Sequence, residues 1–179
     1  MRRFASLAIC VFGLAAAGMT VAWNIQQPPF IDAHVHLNEP DSALALLKWS
    51  GNPAAIAFTG ARGTNESVRD AARRSNGQLF AFASISPERR EYRGRWQRND
   101  TTLITELDRL LASGGFHGIG EISVVHFSSD GFPEADFDPM GPMMQGIMKV
   151  AARRRLPVLI HCEVTRLREF SALLAAYPN

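Results

Sequence analysis

Cysteine is nearly missing from this chain. Of the two present, Cys10 falls in the N-terminal run described below, which leaves Cys162 alone and excludes an internal disulfide. The fold must then rest on packing, with or without a metal. An excess of one charge is missing too. The 19 lysines and arginines fall to 17 once Arg2 and Arg3 are set aside, equal to the 17 acidic residues. That balance gives no electrostatic footprint of a nucleic-acid binder, so no nucleic-acid partner is expected. Hairpin signals between the predicted strands are absent, which argues against an antiparallel sheet. A glycine-rich phosphate turn after the first predicted strand is absent as well, which argues against a nucleotide-binding doubly wound sheet.

What is present describes a globular protein, 46% apolar and 20% charged over 179 residues. Met1-Arg2-Arg3 precedes twenty uncharged, mostly apolar residues, Phe4 to Trp23. This is the layout of a secretory signal peptide, with small residues at Thr20-Val21-Ala22 that predict cleavage after Ala22. The rival reading is an uncleaved anchor over residues 4–23, since twenty residues just span the ~30 Å hydrocarbon core. Export to a periplasmic or extracellular space is therefore expected, with membrane contact only if the leader stays attached. Residues 1–22 form the leader and 23–179 the working domain.

Along that domain, strands alternate with helices. Strands are predicted at Phe30–Leu37, Ala54–Thr59, Leu79–Ile85, Phe116–Ile122 and Leu156–His161. Helices are predicted at Asp41–Lys48, Asn65–Ser75, Thr101–Ala112, Pro139–Arg155 and Arg166–Ala176. Long polar loops are expected at Ser86–Asn99 and Val124–Asp138. Five β-α units without hairpins mean a parallel sheet wrapped by helices. A (β/α)8 barrel needs eight such units and typically ~250 residues. The expectation is an α/β fold, an incomplete TIM barrel of about five units; the alternative is an open doubly wound sheet.

Asp32-Ala33-His34-Val35-His36 carries the chemistry on the first strand. Residues i and i+2 of a strand point the same way, so two imidazoles at that spacing converge on one cation beyond the strand end. Glu121 closes the fourth strand and His161 the fifth. In a parallel barrel the C-terminal strand ends build the active site, so His34, His36, Glu121 and His161 are expected on one rim as metal ligands.

In this order, Asp32-Ala33-His34-Val35-His36, Ala83-Ser84-Ile85-Ser86-Pro87, Gly120-Glu121 and Pro157 to His161 resemble the amidohydrolase superfamily of metal-dependent hydrolases. In particular they resemble its amidohydrolase-related branch, amidohydrolase 2, over roughly residues 29 to 179. The resemblance implies a (β/α)8 barrel with one or two divalent ions, usually zinc. His34 and His36 match the first-strand ligands and His161 the fifth-strand ligand. Glu121 is similar to the strand-four acid that bridges two metals in TatD-type relatives; as a second carboxylate outside the ligand set it is equally in keeping. The family also implies a strand-six histidine and a strand-eight aspartate, the general base, expected beyond Asn179.

The implied reaction is hydrolysis of a C–N or C–O bond (amide, cyclic amide, lactone or ester) in a small-molecule substrate, with Glu121 and His161 at the catalytic centre. Alternatives are a single-metal decarboxylase of the same superfamily and a non-catalytic metal-binding fragment. A homo-oligomer is compatible with this reading.

Several residues are weighed against plainer roles. Asp32 is expected to orient a ligand ring, His117 to be a buried core histidine, and His126 either a loop residue or a substrate contact. Cys162 should pack toward the helices, and Glu163 should return to the rim. Arg89, Arg90, Arg93, Arg95 and Arg98 either greet an acidic substrate or decorate a solvated loop, the latter favoured by Glu88, Glu91 and Asp100 beside them. The methionines from 140 to 148 are helix-face packing.

Overall fold

The computed structural model describes residues 30–128 and 133–178; the expected leader and its cleavage after Ala22 lie outside them. The elements run β1 (Ile31–Leu37), α1 (Pro40–Ser50), β2 (Ala54–Thr59), α2 (Asn65–Arg74), β3 (Leu79–Ala83), α3 (Arg90–Gln97) and α4 (Thr102–Ala112). They continue through β4 (Gly118–His126), β5 (Ala135–Asp136), α5 (Pro142–Arg154), β6 (Val158–Cys162), a 3₁₀ turn at Val164–Arg166, and α6 (Leu167–Ala176). Among the described residues no helix is long and apolar enough to cross a membrane.

Local chemistry explains most boundaries. Pro40 opens α1 where its missing N–H costs nothing, and Gly51 ends it in the left-handed region, donating to Leu47 O. Thr64 and Ser67 form a reciprocal capping box on α2. Pro142 at the first turn starts α5, three residues later than Pro139 predicted. Asp138 caps a preceding turn instead, accepting from Met140 N at 2.8 Å.

The strands form one curled sheet in the parallel order β1-β2-β3-β4-β6, a half-barrel. This is the incomplete TIM barrel expected. Two departures stand out. The short β5 pairs antiparallel with the far end of β4, which runs on to His126 where a loop was predicted. The arginine-rich segment predicted as a loop contains α3. That helix is fixed by tertiary contacts: buried Trp96 donates its indole N–H to Ile85 O at 2.7 Å, and Arg95 pairs with Asp100 and Glu106.

The core lies between sheet and helices. Its larger part joins β3, β4 and β6 to α4 and α5 through Leu103, Leu107, Ile119, Ile122, Met144 and Ile147. A smaller part joins β1, β2 and β3 to α1 and α2 through Leu37, Ala57, Val68 and Ala81. Met143, Met144 and Met148 are core packing as expected.

Two of the three strands that carry ligand candidates, β1 and β4, are irregular there. The β1–β2 register slips by one residue between Asp32 and Val35, and the β4–β6 register slips between Ile119 and Ile122. Such bulges insert one residue, bend the strand and re-aim its side chains. At the second slip Gly120 has φ +142, and a Cβ there would stand 2.7 Å from the Leu159 carbonyl oxygen. Only glycine lets β4 approach β6 this closely while turning Glu121 inward.

Candidate metal centre

His34 and His36 project from the end of β1 with their rings in contact, centroids 5.1 Å apart, and Phe58 sits opposite His36 on β2. The Phe58 ring meets both imidazoles edge-on, at centroid distances of 5.0 and 4.7 Å. Phe58 is fully buried, so it is a firm apolar support against which both rings rest. Sequence reasoning passed over it, because its strand reads as a plain apolar run.

Glu121 reaches the same point from β4. Its Oε2 lies 3.5 Å from His34 Nε2 and 3.4 Å from His36 Nε2, while the two Nε2 atoms stand 3.3 Å apart. Four nitrogen or oxygen ligands held about 2.0–2.1 Å from a tetrahedral ion stand about 3.3–3.4 Å from one another. Two of the three separations fall on those tetrahedral edges, and the third, 3.5 Å, is 0.1 Å longer. Two imidazoles and one carboxylate are also the donor chemistry of hydrolytic zinc sites. Among the described residues this is the one His/Cys/Asp/Glu group whose ligand atoms cluster closely enough for a shared ion.

Glu121 is only 5% exposed, so its position must be held from below. A buried polar ladder does this. Asn65 accepts from Ser84 N at 2.8 Å and donates to Ser84 O at 2.9 Å; Ser84 Oγ donates to Glu121 O at 2.8 Å. Ser86 Oγ accepts from Ser123 N at 2.9 Å. The Ala83-to-Pro87 stretch singled out in the sequence is therefore the brace that locks β4 against β3. Satisfied buried networks of this kind rigidify what they hold.

His161 stands on the other oxygen of Glu121, Nδ1 to Oε1 at 3.2 Å, and its Nε2 faces Glu163 Oε1 at 3.1 Å. It shares the cavity with His34 and His36 but lies outside their ligand triangle with Glu121. Glu163 returns to the rim as expected, and the hydrogen bond from His161 holds its carboxyl below the usual range. His126 joins the site from the end of β4, its ring 4.8 Å from that of His161. Glu88 and Ser123 complete the lining of a cavity of about 210 Å³. Ser123 Oγ donates to Glu88 Oε2 at 2.6 Å. The sequence signal for Glu88 was its place directly after Ser86-Pro87, one residue beyond the stretch that was read.

Other expectations resolve differently. Asp32 Oδ1 accepts from the backbone N–H of His34 at 3.1 Å instead of orienting a ring. The bulge in β1 explains this, since the inserted residue breaks the alternation between Asp32 and the histidines. His117 is exposed, not buried. It lies before β4 begins, at the opposite end of the sheet, with its ring against Phe80. Cys162 does pack toward the core, and burial pushes its thiol pKa up.

Residues 31–177 match the sequence profile of the family described as TatD related DNase. The chain belongs to that family. Its members are metal-dependent hydrolases of the amidohydrolase-like barrel superfamily, which agrees with the curled parallel sheet and the His34–His36–Glu121 cluster. The match supports the superfamily expected from the sequence and not the particular amidohydrolase-related branch. No curated protein and no solved structure matches significantly. The TatD-related description names cleavage of nucleic acid, a partner that the neutral charge balance gave no reason to expect.

Proposed function

We propose that this chain is a metal-dependent hydrolase that cleaves phosphodiester bonds of nucleic acid at the His34–His36–Glu121 cluster. The triangle of ligand atoms at 3.3, 3.4 and 3.5 Å carries the reading, and family membership supplies the bond type. His34, His36 and the Oε2 of Glu121 would hold one divalent ion, with zinc the best match to the donors. When bound, such an ion lowers the pKa of its water and polarises the bond under attack.

The rest is the work of the chain. Phe58 and the Asn65–Ser84 ladder fix the ligands before any substrate arrives, so little reorganisation is left for the reaction. His161 lies between two carboxylates, with an acceptor at each ring nitrogen, and is placed to hold a proton at the cavity wall. With Glu121, it would also be available to hold a second ion, should two be bound. Export rests on the layout of residues 1–22 alone and is part of the same proposal; the mature N-terminus, read by mass spectrometry of secreted protein, tests it.

The reading of a carbonyl substrate (amide, cyclic amide, lactone or ester) keeps one specific support, the even balance of charge outside the leader. Decarboxylation has none beyond the superfamily. The deciding experiment is zinc titration of purified protein by calorimetry, then turnover of a labelled single-stranded oligonucleotide beside a lactone and ester panel. Zinc-dependent oligonucleotide cleavage, abolished by chelator, is expected. Lactone or ester turnover without cleavage would shift the assignment to the second reading. Absence of zinc binding would sink both.

A further inference from the structure

Beside the histidine cavity lies a second hollow of about 380 Å³, walled by Gly60 and Ala61 after β2, by Glu88 and Arg89, and by Arg90 and Arg93 on the first turn of α3. Glu88 lines both hollows, so its side chain is a wall between them.

The arginines here differ in what they already hold. Arg89 is an internal brace: its guanidinium donates to Gly60 O and Gly63 O, each at 2.9 Å, and pairs with Glu91 at 2.7 Å. That pair also neutralises Glu91. Glu88 is held by the Ser123 hydroxyl. Arg90 is exposed and makes no hydrogen bond or ion pair among the described residues. Arg93 donates through Nη2 to the Glu134 carbonyl, but its Nη1 is buried with no acceptor among the described residues. A buried donor left unmet costs about 1–3 kcal/mol. Positions 90 and 93 are three apart, so both side chains leave the same face of α3. Three guanidiniums against two carboxylates leave the hollow positive, at the positive end of the helix.

Guanidinium groups of this kind suit a phosphate, whose oxygens accept several N–H donors at once. We propose that Arg90 and Arg93 form a phosphate subsite that takes the backbone phosphate neighbouring the one cleaved at His34, His36 and Glu121. The inference rests on the hydrolase reading for its substrate class, and it adds a binding element that the ligand cluster does not contain. It also accounts for a nucleic-acid substrate on a chain whose charges balance outside residues 1–22: the positive groups are few but local.

The test is oligonucleotide binding without turnover. The full 179-residue chain, kept in chelator, is titrated with a fluorescein-labelled single-stranded oligodeoxynucleotide and followed by anisotropy. Arg90→Glu, an exposed change that leaves folding alone, should weaken binding at least about tenfold, and Arg93→Gln should do the same. Each should also lower the slope of log affinity against log salt by roughly one. Arg73→Glu on α2, outside the hollow, should change neither.

Native-like binding by both arginine variants overturns the subsite, as does equal weakening by Arg73→Glu. Failure of the native chain to bind the oligonucleotide also overturns it. Binding of inorganic phosphate at the hollow without the oligonucleotide would overturn its assignment to a nucleic-acid backbone. Zinc calorimetry on the same proteins separates the two readings. Zinc binding is expected to survive Arg90→Glu; loss of zinc in the native chain, with arginine-dependent oligonucleotide binding intact, would sink the hydrolase reading and leave the subsite standing.

Discussion

The Nε2 atom of His36 stands 3.4 Å from Oε2 of Glu121, although two strands lie between them in the sheet. Strands sit about 4.8 Å apart, so in a flat sheet β1 and β4 would be about 14 Å from each other. Curling of the sheet, aided by bulges at both ligand positions, closes that gap. The candidate metal centre is thus a product of sheet curvature, and its three residues should fail together.

Glu121→Gln keeps the side-chain shape and removes the charge. Zinc affinity should fall by more than the ~10–100-fold typical of losing a supporting contact, with circular dichroism unchanged. His36→Ala should act alike. Calorimetry that finds native zinc affinity in either variant would exclude the cluster as the metal site.

Gly120→Ala places a methyl 2.7 Å from the Leu159 carbonyl oxygen at a φ that alanine avoids. A loss of about 1–3 kcal/mol in urea unfolding is expected. Gly94→Ala, inside α3, makes the opposite case. Its Cβ would meet only the flexible end of Arg98, so the helix should gain up to about 1 kcal/mol.

Trp96→Phe should cost about 2–4 kcal/mol in the same assay. It removes buried area and leaves Ile85 O without its donor. Near-native stability would show that α3 is held by its ion pairs alone.

Asp100 sets an acid limit. Hydrogen bonds from the Thr102 hydroxyl and then the Arg95 guanidinium hold its pKa down at about 2, against an ordinary 3.8. The folded value lies below the unfolded one. Its contribution is therefore complete above about 3.8 and is lost as pH falls through about 2. Urea unfolding between pH 2 and 5 should show a shallower decline for Asp100→Asn than for the native chain; equal slopes would refute this.

The half-barrel was legible because parallel strands buried on both sides read as apolar runs separated by helical periodicity. The rim residues were legible because a strand end and an i, i+2 spacing fix direction. Other features depended on contacts distant in sequence. The helix at Arg90–Gln97 has almost no apolar stripe and is anchored by one indole and by acids five and eleven residues beyond Arg95. The bulges that reassign Asp32 and aim Glu121 are matters of register, which a single strand does not encode. His117 was misplaced because the fourth strand starts two residues later than its composition suggests, leaving the ring in solvent. The Glu88–Ser123 hydrogen bond joins positions 35 apart, each unremarkable alone.

The strand that bears both histidines is hydrogen-bonded along one side only, to β2, and most of it is exposed among the described residues. Edge segments with few buried contacts open at the low end of a protein's free-energy range. Cross-linking β1 to the buried Glu121 through a shared ion would tether that fraying margin to the interior. Amide deuteration along Ile31–Leu37 should accordingly be rapid in chelated protein and slow sharply on zinc addition, making order at the sheet margin a gauge of cation occupancy.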